Sequence, residues 1–424
     1  MATSFADVAH QFLNFSEQTE SENLVLRLIE TAWVQRLRDI AQTGNTKLVY
    51  MFSEHSRFGH CLGAAWLANV LLLRLEQQHG DEVSRYRNAV SAAALLHDIG
   101  HIAPGSHAAY KVWFPDATDC HEEVGMRIVS ESPTIRSILN DVQADLVEQV
   151  CAVLAEDPSL PPWAWEIVSG GGWNVDRGNW CIVDSVMAGV SYGRYNVPAL
   201  LESIVITSDG HLAVKENRLD AMTHFAVARH SMYRQVYQHR VMLASDVLSR
   251  AIVDRVRDLL HEGKSVSFLD QAAKAVLSVN SPLQLPLDVL FRMRESWWSY
   301  HLMQWSHDRD PILADLAGRL LTRRLFKTVR VRSSDNDAEL WESAQHAVEQ
   351  SGLNPKYYLH RVSSVDMHAG DTKSFMPVCM DDGTVAPIGE KEPLVESMLR
   401  ESGGLTRSWL VLPAEAKRNL GRQR

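Results

Sequence analysis

The sequence predicts a mainly α-helical protein with a small β-hairpin and a smaller α+β part at its C-terminal end. Three observations carry that expectation. Apolar residues recur at helical spacing along most of the chain up to Leu325, as in Leu24, Val25, Leu28, Ile29, Trp33, Val34, Leu37 and Ile40. One segment breaks the pattern: Ser203 to Thr207, then Asp209-Gly210, then His211 to Lys215, where Asp-Gly is a hairpin turn. From Phe326 onward short β-prone runs take over, at Lys327 to Val331, Tyr357 to Val362 and Ser408 to Leu412.

Taken in order, residues 1 to 20 are polar and signal no element. A helix is expected from Asn23 to Ile40, with Gln35, Arg36 and Arg38 on its polar face and Gly44 ending it. Lys47 to Phe52 reads as an extended piece. A second helix runs from Arg57 to Gln78 and stops at Gly80. Asp81 then looks like the N-cap of a third, Glu82 to Asp98. Ile102 to His107 is loop chemistry. Further helices are expected near Cys120 and from Ile135 to Ala155, and Pro161-Pro162 breaks the pattern because proline cannot donate to a continuing helix. After the glycines Gly170, Gly171 and Gly172 comes a helix from Val175 to Ala188. A very long helical stretch follows the hairpin, Arg218 to Leu260, with more helices over about 283 to 325.

Bulk properties narrow the class. The 424 residues suffice for two or three domains. A net charge of -10 gives no global basic character, so no nucleic-acid partner is implied, although a local patch leaves the point open. Five scattered cysteines, Cys61, Cys120, Cys151, Cys181 and Cys379, form no CxxC and argue for a reducing compartment. No signal peptide is visible at the N-terminus, and the longest apolar run, around Leu67 to Leu73, is too short to span a bilayer. Together these place the chain in the cytoplasm, away from membranes.

Chemistry is concentrated in Leu95-Leu96-His97-Asp98-Ile99-Gly100-His101. An apolar helix runs into an adjacent histidine and aspartate, and the repeat of four puts His97 and His101 on one face. Imidazole beside carboxylate suits a divalent ion of borderline hardness. An isolated His-Asp pair is more often a solvated helix end, so the case needs further ligands. His60, three residues after Arg57, is one candidate; its bland alternative is a core histidine. Asp176 at a helix start is another; its alternative is a carboxylate complementing the helix dipole. His60, His97, Asp98 and Asp176 would suit Mn, Mg, Fe or Zn, with open positions for water and a phosphate oxygen.

The ordered series RFGH, LLHDIGH, GSH, CHEEVG and NVDRGNW resembles the HD-domain superfamily. It is most similar to the deoxynucleoside triphosphate triphosphohydrolases, including the SAM- and HD-domain protein and bacterial dGTPase-like enzymes. Further matching stretches, from WVQRLRDIAQTG to SWLVLPAEAKRNL, extend it over nearly the whole chain. The resemblance implies an HD-type helical bundle holding the four ligands above, and release of triphosphate from a deoxynucleoside. It implies His101, His107 and His121, with Glu122 beside the last, as active-site groups. Arg57, Arg177 and Arg229 match phosphate-binding positions. Gln42 and Asp184 match contacts to the sugar 3′-hydroxyl, with Tyr237 and Gln238 at the base and sugar wall, and Trp180 stands where a tyrosine touches phosphate or sugar. Gln35 and Arg38, with Arg323 and Lys327 from a neighbouring subunit, match a regulatory nucleotide site in a homotetramer. The implied division is a catalytic domain over 1–260, a helical extension over 261–325 and an α+β domain over 326–424 in oligomer contacts.

Departures from the family pattern are informative. Tyr110 replaces an acid that assists a catalytic histidine, Tyr233 replaces a histidine, and Thr43 replaces a leucine that helps exclude a ribose 2′-hydroxyl. Weaker discrimination against ribonucleotides is the consequence expected of Thr43. Two other readings stay open: an HD-type phosphodiesterase or nuclease acting on cyclic nucleotides or single-stranded DNA, and a non-catalytic nucleotide sensor.

Overall fold

A computed structural model describes residues 2–105, 108–117, 120–332, 336–363, 376–402 and 407–422. Its centre is an antiparallel pair of helices, Arg57–His79 and Asp81–Leu96, joined at Gly80. Ala64, Ala65 and Ala68 on the first and Ala92, Ala93 and Ala94 on the second are fully buried, and such small side chains let helix axes approach closely. The Val175–Met187 helix packs against the first of the pair. The Arg57–His79 helix is long and apolar enough to cross a membrane, yet 72% of its apolar window is buried inside the fold. The five cysteines are unbridged.

After His97 and Asp98 the chain turns sharply and packs on the start of the His121–Glu131 helix. Gly100 makes this possible, because a Cβ there would lie 2.0 Å from the carbonyl oxygen of His121. Arg36 fastens the turn from the other side. Its Nη1 donates to the His101 carbonyl at 2.8 Å, and its Nη2 to the carbonyls of Leu290 and Met293 at 3.0 and 3.2 Å. Arg36 is therefore buried rather than on a solvated face, and burial lowers its guanidinium to about 10.

The expected hairpin forms, with Ile204 opposite Val214 and Ile206 opposite Leu212. It is extended by Val378–Cys379, parallel to Leu212–Lys215, and then by Val385–Ala386. A separate three-stranded antiparallel sheet has Ser408–Leu412 at its centre, between Lys327–Val331 and His360–Ser363.

Several elements differ from expectation. The N-terminal residues form a hairpin, Ala2–Asp7 with Gln11–Ser16, and bury Leu13 and Phe15. Asp7 closes its turn by accepting from the backbone N–H groups of Ala9 and His10 at 2.8 and 2.7 Å. The segment read as extended, Lys47 to Phe52, is a 3₁₀ turn over Gly44–Leu48 followed by exposed Met51 and Phe52. The first expected helix is two, Glu20–Ile29 and Ala32–Arg36, because Thr31 caps the second. Ile135 to Ala155 is also two helices, Pro133–Val142 and Leu146–Leu154. The Asp145 carboxylate between them is taken by the Gln143 and Gln149 amides. The stretch from Arg218 divides into Leu219–Met232, a π-turn Tyr233–Tyr237 and Arg240–His261.

Candidate metal centre and active site

Three helices deliver the four expected ligands to one place. His60 lies in the first turn of its helix, His97 and Asp98 at the end of the next, and Asp176 in the first turn of Val175–Met187. His60 Nε2 is 3.2 Å from His97 Nε2 and 3.0 Å from Asp176 Oδ1. His97 Nε2 is 3.5 Å from Asp176 Oδ1 and 3.6 Å from Asp98 Oδ1, and His60 Nε2 is 3.7 Å from Asp98 Oδ2. Ligands bonded at about 2.0–2.2 Å to one ion stand roughly 3 Å apart. His97 is aimed by its other nitrogen: Nδ1 donates to the Ala94 carbonyl at 2.9 Å, leaving Nε2 for the cluster. His60, His97 and Asp176 thus form a group able to hold a divalent cation, and Asp98 stands beside it against both histidines.

The charges are mutually dependent. Burial opposes ionisation of Asp98, but Arg57, His97 and His101 outweigh it and hold the carboxyl well below the usual range. Asp176 is lowered too, against burial, by its hydrogen bonds to His60 and His97. Burial likewise opposes charge on His97, yet Asp98 and Asp176 raise it to about 9. His101 goes the other way: burial, Arg57 and then His121 hold it well below 6.5, against Asp98. Its Nε2 lies 3.2 Å from Asp98 Oδ1, and its ring stacks on His121 with centroids 4.2 Å apart. Arg57 donates to Asp98 Oδ2, and its Nε has no partner among the described residues. Tyr110, at the position where the family carries an acid, donates instead to the Gly100 carbonyl at 2.7 Å.

Farther along the Val175–Met187 helix lies a second polar group. Asp184 accepts from Tyr237 on one oxygen and lies 2.7 Å from His55 Nε2 with the other. Gln42 runs beside His55, its N–H donating to the His55 carbonyl at 3.0 Å. Trp180, Tyr233 and Tyr237 form an edge-to-face trio with centroids 5.3 to 5.8 Å apart, and the Arg229 guanidinium lies 5.0 Å from the Tyr233 ring. The structure therefore brings Gln42, Trp180, Asp184, Arg229 and Tyr237 to one side of the cluster's helix.

Other expected residues lie elsewhere. Arg177 is tied back to the glycine run, donating to the carbonyls of Gly170 and Gly172 at 2.9 and 3.3 Å. Gln238 lines a cavity of about 350 Å³ with Arg234, Arg240, Arg330 and Arg407. Glu122 is exposed, and His107 lies outside the described residues. Arg323 and Lys327 line a cavity of about 190 Å³ with Arg240 and Lys417. Gln35 and Arg38 are not part of that lining: Arg38 bonds Gln35 at 2.8 Å and covers the Phe58 ring. Sequence reasoning missed His55, Arg36 and Asn179. His55 carried a usable signal, since it sits two residues before Arg57.

Residues 57–157 match the model of the HD domain family. The chain carries an HD domain. The matched stretch of the HD domain includes Arg57, His60, His97, Asp98, His101 and His121, while Asp176 and the aromatic wall lie beyond it. Over 403 residues the chain is 27% identical to the uncharacterized protein YwfO of Bacillus subtilis, covering 93% of this chain and 88% of that one. It is 26% identical over 254 residues to the deoxynucleoside triphosphate triphosphohydrolase SAMHD1 of Gallus gallus, which is 52% of this chain and 41% of that protein. A SAMHD1 homolog from Dictyostelium discoideum is 25% identical over 232 residues, 52% of this chain and 44% of its own. The chain thus spans less than half the length of these named triphosphohydrolases. A phosphohydrolase from Bacteroides thetaiotaomicron superposes with a TM-score of 0.81 at 22% identity, covering 97% of this chain and 100% of that one, so the fold is shared end to end.

Proposed function

We propose that this chain is a metal-dependent hydrolase that cleaves deoxynucleoside triphosphates to deoxynucleoside and triphosphate. The observation that carries it is the convergence of His60, His97 and Asp176 within 3.5 Å of one another, with Asp98 3.6 and 3.7 Å from the two histidines and Arg57 against Asp98. The likeness to named triphosphohydrolases over half of this chain supports the substrate class.

His60, His97, Asp98 and Asp176 would hold a divalent ion, which would supply Lewis acidity toward a phosphate oxygen. Arg57 meets the remaining phosphate charge, as a guanidinium grips phosphate in fixed geometry. Water adds to the α-phosphorus and gives up a proton, the bond to the sugar 5′-oxygen breaks, and that oxygen takes up a proton, so one water is consumed for each triphosphate released. His121, stacked on His101, would hand it over, the role the family resemblance implies. Asp184, oriented by Tyr237 and His55, receives the sugar together with Gln42, and Trp180 forms the wall. Incubating the purified chain with each deoxynucleotide and Mn or Mg, then identifying products, tests this. Deoxynucleoside plus tripolyphosphate supports it; a nucleoside monophosphate favours a phosphodiesterase or nuclease, and no turnover a nucleotide sensor.

Three further proposals rest on the family resemblance. A second nucleotide binds at Gln35, Arg38, Arg323 and Lys327 in a homo-oligomer, which explains why these residues do not share one cavity within a chain. The chain divides at about residues 260 and 325. It works in the cytoplasm, consistent with its unbridged cysteines.

A further inference from the structure

We propose that Asn179 is a positioning residue that sets the tautomer of His60, and that His10 of the N-terminal hairpin sets Asn179. The inference rests on reading His60 as a metal ligand.

Asn179 is fully buried, three residues after Asp176 on the same helix. Its Oδ1 lies 2.9 Å from His60 Nδ1, and its Nδ2 lies 3.2 Å from His10 Nε2. An amide oxygen only accepts and an amide nitrogen only donates. In this orientation His60 carries its proton on Nδ1, and the Nε2 lone pair faces His97 and Asp176. The two ends of an amide are nearly the same shape, so packing alone does not choose between them. Turned over, the amide would present its NH₂ to His60 Nδ1. The proton would then move to Nε2 and occupy the lone pair that a metal needs.

His10 biases that choice when its own proton is on Nδ1: its Nε2 then accepts from the Asn179 NH₂, whereas the reversed amide would set two acceptors against each other. His10 is itself held in place. Its backbone N–H donates to Asp7 at 2.7 Å, and its ring centroid lies 5.0 Å from that of Trp66. Burial keeps its imidazole below the usual histidine range, against the pull of Asp7. The room for the amide comes from Gly63, one turn after His60 on the same helix. A Cβ there would lie 2.1 Å from Asn179 Nδ2 and 2.8 Å from its Cγ. The hairpin thus reaches the metal centre through two hydrogen bonds, from a position 169 residues away in sequence from Asn179.

The experiment uses the full chain stripped of metal. Mn affinity is measured by calorimetry for the native protein, His10→Ala, Asn179→Ala, Asn179→Asp and the double variant His10→Ala/Asn179→Asp. Unfolding temperatures are recorded without metal, and histidine ring ¹⁵N shifts are recorded for native and His10→Ala. A carboxylate accepts whichever way it lies, so Asp at 179 makes His60 independent of His10. The expected result is an affinity loss of about 10- to 100-fold for Asn179→Ala and His10→Ala, with recovery in the double variant. The ring shifts should show His60 protonated on Nδ1 in the native protein and mixed in His10→Ala. Native affinity in His10→Ala overturns the proposal, as does a double variant no better than His10→Ala, or a native His60 protonated on Nε2. If the native chain itself binds no Mn, the metal reading fails first, and the ring shifts still decide the tautomer.

Discussion

Asp98 and Asp176 are both expected to ligate the same ion, yet they should fail differently when neutralised. Asp98 is buried and balances Arg57, so Asp98→Asn leaves a guanidinium without its countercharge. Breaking a buried pair in this way costs about 3–5 kcal/mol. Asp176 keeps 31% of its side-chain exposure and pairs with no arginine among the described residues, so Asp176→Asn should cost less stability than Asp98→Asn. Both should lose hydrolysis by about a hundredfold or more, since loss of an outer partner alone costs 10–100-fold. Urea midpoints beside product assays check this, and equal midpoints for the two variants would contradict it. At the sugar side, Tyr237→Phe removes the hydroxyl that orients Asp184. One lost hydrogen bond to a charged group, about 1.5–3 kcal/mol, should raise KM by roughly tenfold or more. Thr43 is buried, with its hydroxyl unpartnered among the described residues. Comparing kcat/KM for one deoxynucleotide and its ribonucleotide should show discrimination of only about tenfold, and strong exclusion of the ribonucleotide would count against that role.

Among the elements, the Glu295–Trp305 helix makes stability depend on pH. His301 on that helix is buried between Trp297, Trp305 and Phe268, and burial lowers its pKa below 6.5 despite the Trp297 carbonyl and Asp270. The unfolded chain therefore takes up this proton before the folded one does. Stability from His301 is present above about pH 6.5 and is lost as pH falls below it toward the depressed folded value. Replacing it by Gln should flatten the dependence of the urea midpoint between about pH 6.5 and 5; an unchanged slope would refute the assignment. Elements were legible in the sequence where one periodicity ran uninterrupted. The helices carrying His60 and His97 came out nearly in full, and the Asp-Gly hairpin with them. Elements decided by distant partners were not legible. Arg36 reads as a surface cation because the carbonyls that bury it come from Leu290 and Met293, far along the chain. The N-terminal hairpin buries only Leu13 and Phe15, too few residues to stand out from polar neighbours. The break at Thr31 depends on a side-chain cap, and the one at Asp145 on side-chain bonds from Gln143 and Gln149, rather than on hydrophobic pattern. In the candidate site the four ligands were readable as residue types at fixed spacing, whereas His55 and Asn179 become visible only through the groups they touch.

At the scale of the whole molecule, the four ligands come from three helices and belong to segments separated by up to 116 residues in sequence. No such arrangement survives unfolding, so an ion bound there is bound by the folded chain alone. Folding and metal binding are then linked, and the fold should be stabilised by RT ln(1 + [L]/Kd). At a hundredfold excess over Kd this is about 2.7 kcal/mol. For a chain of this size each kcal/mol moves the unfolding midpoint by roughly 1–2 °C, by extension from smaller domains, so Mn should raise Tm by about 3–5 °C. A chelator should return it. Asp176→Asn discriminates this from non-specific effects of the cation, because it keeps the surrounding fold and removes one ligand. The variant should show no rise at the same Mn concentration, while the native chain shows the full rise. An equal rise in both would mean that the cation acts at some other place, and the four converging side chains would then need an explanation as a hydrogen-bonded core rather than as an ion site.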